Sequence, residues 1–306
     1  MSQVFGAVFA PGFFASTQVQ VAVVVGTMVA VVASAVGVFT VIRGQSFAGE
    51  ALGDIGTTGG SGAFLVGAGP LWGFLAISIV AAAAMELIGI QRPRGRDLAT
   101  GIVLGAGLGL AALLLYFDAT YHNKTGATVT ILFGSIFLIP SSTLPLVVLL
   151  SAIVLAIVAV LYRPLLLSSM STELAAARGI PVRPVGALYL LALAIAVALA
   201  SVTIGTILST ALLVGPAAAA LRLTRRPATA MLAAALIGIG AMWLGIVLAY
   251  DSYDWPPIHD GWPVSFFVVT IIFVLYLLAG VPGLWRARQR RRADATTGGP
   301  LIAERR

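Results

Sequence analysis

The chain has 306 residues, 59% hydrophobic and only 9% charged, with a mean hydropathy of +1.04. A soluble domain carries roughly 25% charged residues, so the composition excludes a water-facing surface and makes the chain an integral membrane protein. It contains no Cys, which removes disulfides, thiolate metal sites and cysteine nucleophiles. Its apolar runs of around 20 residues specify spanning helices rather than the alternating strands of about 10 residues found in barrels.

In chain order, an N-terminal segment 1–19 shows no basic stretch ahead of a short apolar run and no small-residue cleavage site, so no removable signal peptide is expected. Candidate spans follow at 20–42, 48–68, 70–90, 98–117, 143–162, 185–203, 204–221, 229–250 and 263–281. The stretch 185–221 is uncharged throughout. As one helix it would be about 55 Å long, too long for a single crossing of a roughly 30 Å core. It is therefore expected to be a helical hairpin turning near Ser201 to Thr206. The apolar segment Thr128 to Ile139 is about half a span, which fits an interfacial or re-entrant piece or an extension of the next helix. The expected fold is an all-α polytopic membrane protein of eight or nine transmembrane helices. One transmembrane domain covers 20–285, and a basic tail covers 286–306.

Basic residues set the orientation, because Lys and Arg concentrate in cytoplasmic loops. Arg92, Arg94 and Arg96 form one group, Arg163, Arg178 and Arg183 a second, and Arg222, Arg225 and Arg226 a third; Arg286, Arg288, Arg290, Arg291 and Arg292 crowd the tail. Two loops of opposite character, Asp118 to Thr125 and Asp251 to Trp262, are assigned outside, which puts the C-terminus in the cytoplasm. Arg43 then leaves the N-terminus outside. The net charge of +7 follows this insertion pattern and does not point to a nucleic-acid partner.

Most acids fall in loops or tail, so Glu50 and Asp54 stand out. Their i, i+4 spacing puts both carboxylates on one helix face about 5 to 6 Å apart, where they need a cation or a shared proton in a low dielectric. The following run from Gly53 to Gly62 is so rich in Gly that the helix is expected to be thin-faced or broken, and a break would free carbonyls to coordinate an ion. The competing reading is a solvated Glu50 near the interface after Arg43. His122 and His259 lie in the outside loops beside Asp118, Asp254 and Asp260; they are possible outer metal contacts, although a lone loop histidine is more often solvated. Gly101, Gly105 and Gly109 form overlapping GxxxG steps, a stripe expected to pack on a neighbouring helix.

The segment 171–180 reads as a short capped cytoplasmic helix: Ser171 at the N-cap, Glu173 in the first turn, Arg178 in the last, then Gly179 and Pro181 as the stop. So short a helix buries little by itself and is expected to dock on a cytoplasmic partner or on the bilayer surface. The only lysine, Lys124, follows Asn123, so the chain has no P-loop; it also lacks H-E-x-x-H and G-x-S-x-G. Intramembrane catalysis has no machinery here.

Four blocks in order resemble the permease subunits of the zinc/manganese/iron-type ABC importers. They are Gly37 to Arg43 with Gly49-Glu50-Ala51-Leu52-Gly53-Asp54; Asp97 to Val103; Leu132 to Ile136 with Glu173-Leu174-Ala175 and Arg178 to Val182; and Ala211 to Ala218. The resemblance implies a permease dimer enclosing one path for a divalent metal ion in a bacterial plasma membrane. It also implies an ATPase partner that binds ATP and grips Glu173, Ala175, Arg178, Gly179 and Ile180, and a solute-binding protein outside. The permease itself is then no enzyme and holds no tightly bound cofactor. The family's segment carries an acid and a histidine on the metal path; here the acid is Glu50, and Asp54 stands at the histidine position. Two oxygen ligands without imidazole favour Mn(II) or Fe(II) over Zn(II). A secondary cation carrier using Glu50 and Asp54, or a non-transporting structural membrane protein, are the readings from other classes.

Overall fold

The computed structural model describes residues 16–88, 96–121, 125–134, 136–224, 226–252 and 261–297. Among these residues the helices are α1 (Thr17–Ile42), α2 (Ser46–Leu65), α3 (Pro70–Ile88), α4 (Arg96–Tyr121), α5 (Thr125–Phe133), α6 (Leu144–Met170), α7 (Thr172–Ala177), α8 (Val182–Ile204), α9 (Thr206–Leu223), α10 (Pro227–Asp251) and α11 (Val264–Thr297). Two single 3-10 turns, Ile136–Leu138 and Ser141–Thr143, lead into α6. Eight helices among the described residues are long and apolar enough to cross a membrane, and α2 is outside that set on hydropathy. Its 20 residues still reach about 30 Å.

The glycine contacts place α2 between two of these apolar helices and along them. Gly59 of α2 meets the Gly73 backbone of α3, and Gly56 and Gly60 meet Phe74, so α2 and α3 run antiparallel. Gly107 lies on Ile55 and Gly62 near Leu114, so α4 runs parallel to α2. Lipid tails are as apolar as these side chains, and small residues therefore set how closely the helices approach. A side chain at Gly59 would collide with the Gly73 carbonyl, and one at Gly73 with the Gly59 carbonyl. The Gly-rich run of α2 is thus a thin packing face. The helix is unbroken from Ser46 to Leu65, which removes the expectation of carbonyls freed by a break.

The hairpin expected in 185–221 is present. Gly53 faces both Val197 and Ser209, and Gly49 faces both Leu193 and Leu213, so the two arms descend together along α2 in antiparallel register. A single residue, Gly205 with φ +88°, joins α8 to α9. The half-span near Thr128 is a separate short helix, α5, and not an extension of α6; it buries Ile131 and packs on α9, α2 and α4. It ends at Gly134, φ +80°, whose backbone sits against that of Thr203, Ile204 and Gly205.

Other helix ends also follow from sequence. Gly44, Gly67 and Gly179 have positive φ. After α1, the Gln45 N–H donates to the Thr40 carbonyl (2.9 Å) and that of Gly44 to Val41 (3.1 Å). Ala68 to Ala63 with Gly67 to Phe64, and Ile180 to Ala175 with Gly179 to Ala176, repeat the pair after α2 and α7. This is the glycine-terminated Schellman arrangement, which satisfies the last free carbonyls of a helix.

Several loop assignments need correction. Asp118 was placed in an outside loop; it lies in the last turn of α4 with its side chain fully buried, because α4 runs on to Tyr121. Arg163 lies inside α6, exposed, about two turns before the helix ends. The tail boundary at 286 falls within α11, which continues to Thr297. The 1–19 segment overlaps α1 from Thr17, and its first 15 residues lie outside the described set.

Candidate functional site

The side of α2 turned away from the packed glycines carries the polar residues. At about 100° per residue, Glu50, Asp54, Thr57 and Ser61 fall within an arc of about 60°. Burial changes along this stripe. Glu50 is exposed and Asp54 half-buried, whereas Thr57 is 4% exposed and Ser61 not at all. The Ser61 hydroxyl is buried without a hydrogen-bond partner among the described residues. One turn across, Thr58 Oγ1 donates to the Gly107 carbonyl at 2.8 Å and ties the stripe's edge to α4. The opposite edge is α9, where Ser209 Oγ donates to the Thr206 carbonyl (2.9 Å) close to Gly53.

A polar track thus starts at two acids that solvent can reach and closes over two hydroxyls toward the far end of α2. Above it sits α5, held by the Gly134–Gly205 backbone contact and by Thr206 Oγ1 on the Ile131 carbonyl at 3.4 Å. Chemically, the open end offers carboxylate oxygens, the type of donor preferred by hard and borderline divalent cations. Among the described residues there is no group of three or more His, Cys, Asp or Glu that could hold a metal ion.

Glu50 and Asp54 share one face of an intact helix, as their spacing requires. Thr57 and Ser61 were missed, although their continuation of the same helical step was available in the sequence. His122, Asp254, His259 and Asp260 lie outside the described residues. Around Gly101, Gly105 and Gly109, the stripe expected to pack, no other helix among the described residues comes within 4 Å of where a Cβ would stand. The close approach belongs to Gly107, on another face of α4, because that face meets Ile55 of α2.

At the opposite end from α5, the short helix is α7, six residues from Thr172 to Ala177. Ser171 caps it: its Oγ accepts the Leu174 N–H at 3.1 Å. Ala175 is fully buried, while Glu173, Leu174, Arg178 and Gly179 are exposed and Ile180 is half-buried. The helix is anchored by one methyl and presents the rest of its surface outward. Replacing Ser171 by alanine should remove about 1 kcal/mol of local stability and speed amide exchange over 172–177 about fivefold, with exchange in α8 unchanged.

The sequence pattern of the ABC 3 transport family matches residues 15–281. The manganese transport system membrane protein MntC of Halalkalibacterium halodurans is 27% identical over 283 residues, covering 91% of this chain and 94% of that protein. The manganese import system permease protein ScaB of Streptococcus gordonii is 28% identical over 232 residues, 76% of this chain and 82% of that one. Among solved structures, PsaBC from Streptococcus pneumoniae in complex with Fab is similar, with a TM-score of 0.75 at 25% identity over 89% of this chain and 94% of that chain.

Proposed function

The chain belongs to the ABC 3 transport family, and from that premise we propose that it is the membrane-spanning permease subunit of an ATP-driven importer of divalent metal ions, with Mn(II) or Fe(II) preferred over Zn(II). The observation that carries the reading is the polar face of α2, open at Glu50 and Asp54 and closed at Thr57 and Ser61. An ion entering this face meets two carboxylates and then hydroxyls. Two carboxylates are fewer than the roughly six oxygen ligands a hard divalent ion takes, and a second permease chain facing the first would add its own pair, so that two α2 stripes line one path. The manganese named for the relatives MntC and ScaB supports the preference for an oxygen-liking ion.

The division of labour follows from what the chain lacks. It has no P-loop, so a separate cytoplasmic ATPase binds and hydrolyses ATP and takes hold of Glu173, Ala175, Arg178, Gly179 and Ile180. A solute-binding protein presents the ion on the other side. Arg178, Arg183, Arg222 and Arg226 stand at the α7 end of the bundle, which supports a cytoplasmic α7, an N-terminus outside and the C-terminus of α11 inside a bacterial plasma membrane. The test is elemental analysis of Mn, Fe and Zn in cells expressing the chain with its ATPase and binding protein. Accumulation of Mn or Fe that disappears when the ATPase is omitted is the expected result. Accumulation that persists without the ATPase and follows the proton gradient would replace this reading with a secondary carrier.

A further inference from the structure

One side chain touches every element that links α7 to the acids of α2. Arg43 follows α1, in the turn between α1 and α2. Its Nη1 donates to Ser168 Oγ of α6 at 2.9 Å, its Nε donates to Gln45 Oε1 at 3.2 Å, and its Cζ lies 5.3 Å from the ring centroid of Tyr189 on α8. Each partner has a distinct place. Ser168 is three residues before the Ser171 cap of α7, at the end of the helix that enters the short loop. Tyr189 is on the first turns of the helix that leaves it. Gln45 is the N-cap of α2, 2% exposed, and its carbonyl accepts the Gly49 N–H at 3.1 Å, one residue before Glu50.

The contacts continue on the far side of Tyr189. Its ring is buried, and its hydroxyl shares a 2.7 Å hydrogen bond with Thr40 Oγ1 and donates to the Val36 carbonyl at 3.3 Å, so α8 is fixed to α1 just below the guanidinium. Phe39 and Tyr162 meet edge to face at 5.8 Å and fix α6 to α1 in the same layer. A planar guanidinium holds several donors at fixed angles and also stacks on an aromatic face. An ammonium does only part of this.

We propose that Arg43 is a positioning residue that couples the two helices flanking α7 to the start of α2, so that displacement of α7 shifts Glu50 and Asp54. The proposal rests on the transport reading above. Movement of α7 pulls on Ser168 and on the α8 strand of contacts at once. The guanidinium passes both displacements to Gln45, and the α2 cap moves as a unit with the first turn that bears Glu50. Arg43 touches no ion; it acts through Gln45.

The experiment uses the full complex, with ATPase and binding protein, in liposomes, and reads Mn(II) taken up per ATP hydrolysed alongside Mn(II) binding to the complex at equilibrium. Arg43→Met is expected to retain ATP hydrolysis and Mn(II) binding while uptake per ATP falls about tenfold. Arg43→Lys should fall between it and the wild type. Ser168→Ala, a mild change that keeps the fold, should lower uptake per ATP about threefold alone and have no further effect beside Arg43→Lys, because the two act through one contact. An unchanged ratio in Arg43→Met and Ser168→Ala overturns the coupling role and leaves the transport reading intact. If Arg43→Met fails to assemble, additive effects of Ser168→Ala and Arg43→Lys overturn it equally. A wild-type complex that takes up no metal overturns the transport reading itself, and the proposal with it.

Discussion

Alanine at Gly205 is expected to lower the unfolding free energy by about 2–5 kcal/mol. Two costs combine. The residue has φ +88°, where an L side chain costs roughly 1–2 kcal/mol. Its new methyl would also collide with the Leu132 carbonyl and stand 2.5 Å from the Phe133 carbonyl carbon, and forced overpacking costs typically about 1–3 kcal/mol. The neighbour cannot yield, because Leu132 and Phe133 are backbone at the end of α5, and Gly134 beyond them has φ +80° with its own Cβ position 2.5 Å from Gly205 N. Gly134→Ala should therefore match Gly205→Ala in size, and the double variant should lose less than the sum because both disrupt one contact. The measurement is the detergent-solubilised melting temperature, with a drop of at least about 4 °C expected. Gly101→Ala supplies the opposite sign: with no other helix of the described residues within 4 Å, alanine inside α4 should gain up to about 1 kcal/mol. A melting temperature unchanged in both Gly205→Ala and Gly134→Ala would remove the backbone contact as a structural determinant.

Combining Glu50→Gln with Asp54→Asn is expected to reduce Mn(II) uptake at least about a hundredfold while the protein level stays constant. Even groups that only orient a metal ligand are worth roughly 10–100-fold, and this pair removes two anionic oxygen donors from the track. The amides keep the shape of both side chains, and the residues are exposed and half-buried, so folding should be undisturbed. Asp54→His separates ligand chemistry from charge. It should keep transport and raise Zn(II) uptake relative to Mn(II) by about tenfold, because imidazole suits Zn(II) better than Mn(II). Wild-type uptake in the double amide variant would move the ion path away from α2. An unchanged Zn(II) to Mn(II) ratio in Asp54→His would assign selection to the binding protein.

Much of this architecture was legible because membrane helices leave two strong marks in sequence, uninterrupted apolar length and basic ends. The hairpin at Gly205 followed from length alone. The capped helix α7 followed from Ser171, Glu173 and Gly179, whose side chains and backbone act locally. What failed to show were the contacts that depend on which face of a helix meets a neighbour. Gly101, Gly105 and Gly109 have the spacing of a packing stripe, and among the described residues it is Gly107, on another face, that meets α2. Asp118 looked like the first loop residue because a charge ended the apolar run, whereas α4 carries it on for almost one more turn and buries it. The Gly-rich stretch of α2 allowed either a broken or a thin helix, and only the crossing with α3 decides between them. At the site, Glu50 and Asp54 were found by their charge. Thr57 and Ser61 were passed over because hydroxyls are unremarkable in apolar helices, and their importance lies in being buried on the acids' face.

The single-residue connection between α8 and α9 also bears on how the chain is made. The only polar side chains in 185–221 are the hydroxyls of Tyr189, Ser201, Thr203, Thr206, Ser209 and Thr210, and all but the half-buried Thr210 are buried in the finished protein. No loop or charge has to be carried across the bilayer when this pair enters it. The arms can go in together as one closed hairpin, with Arg183 and Arg222 as the charges that bound it.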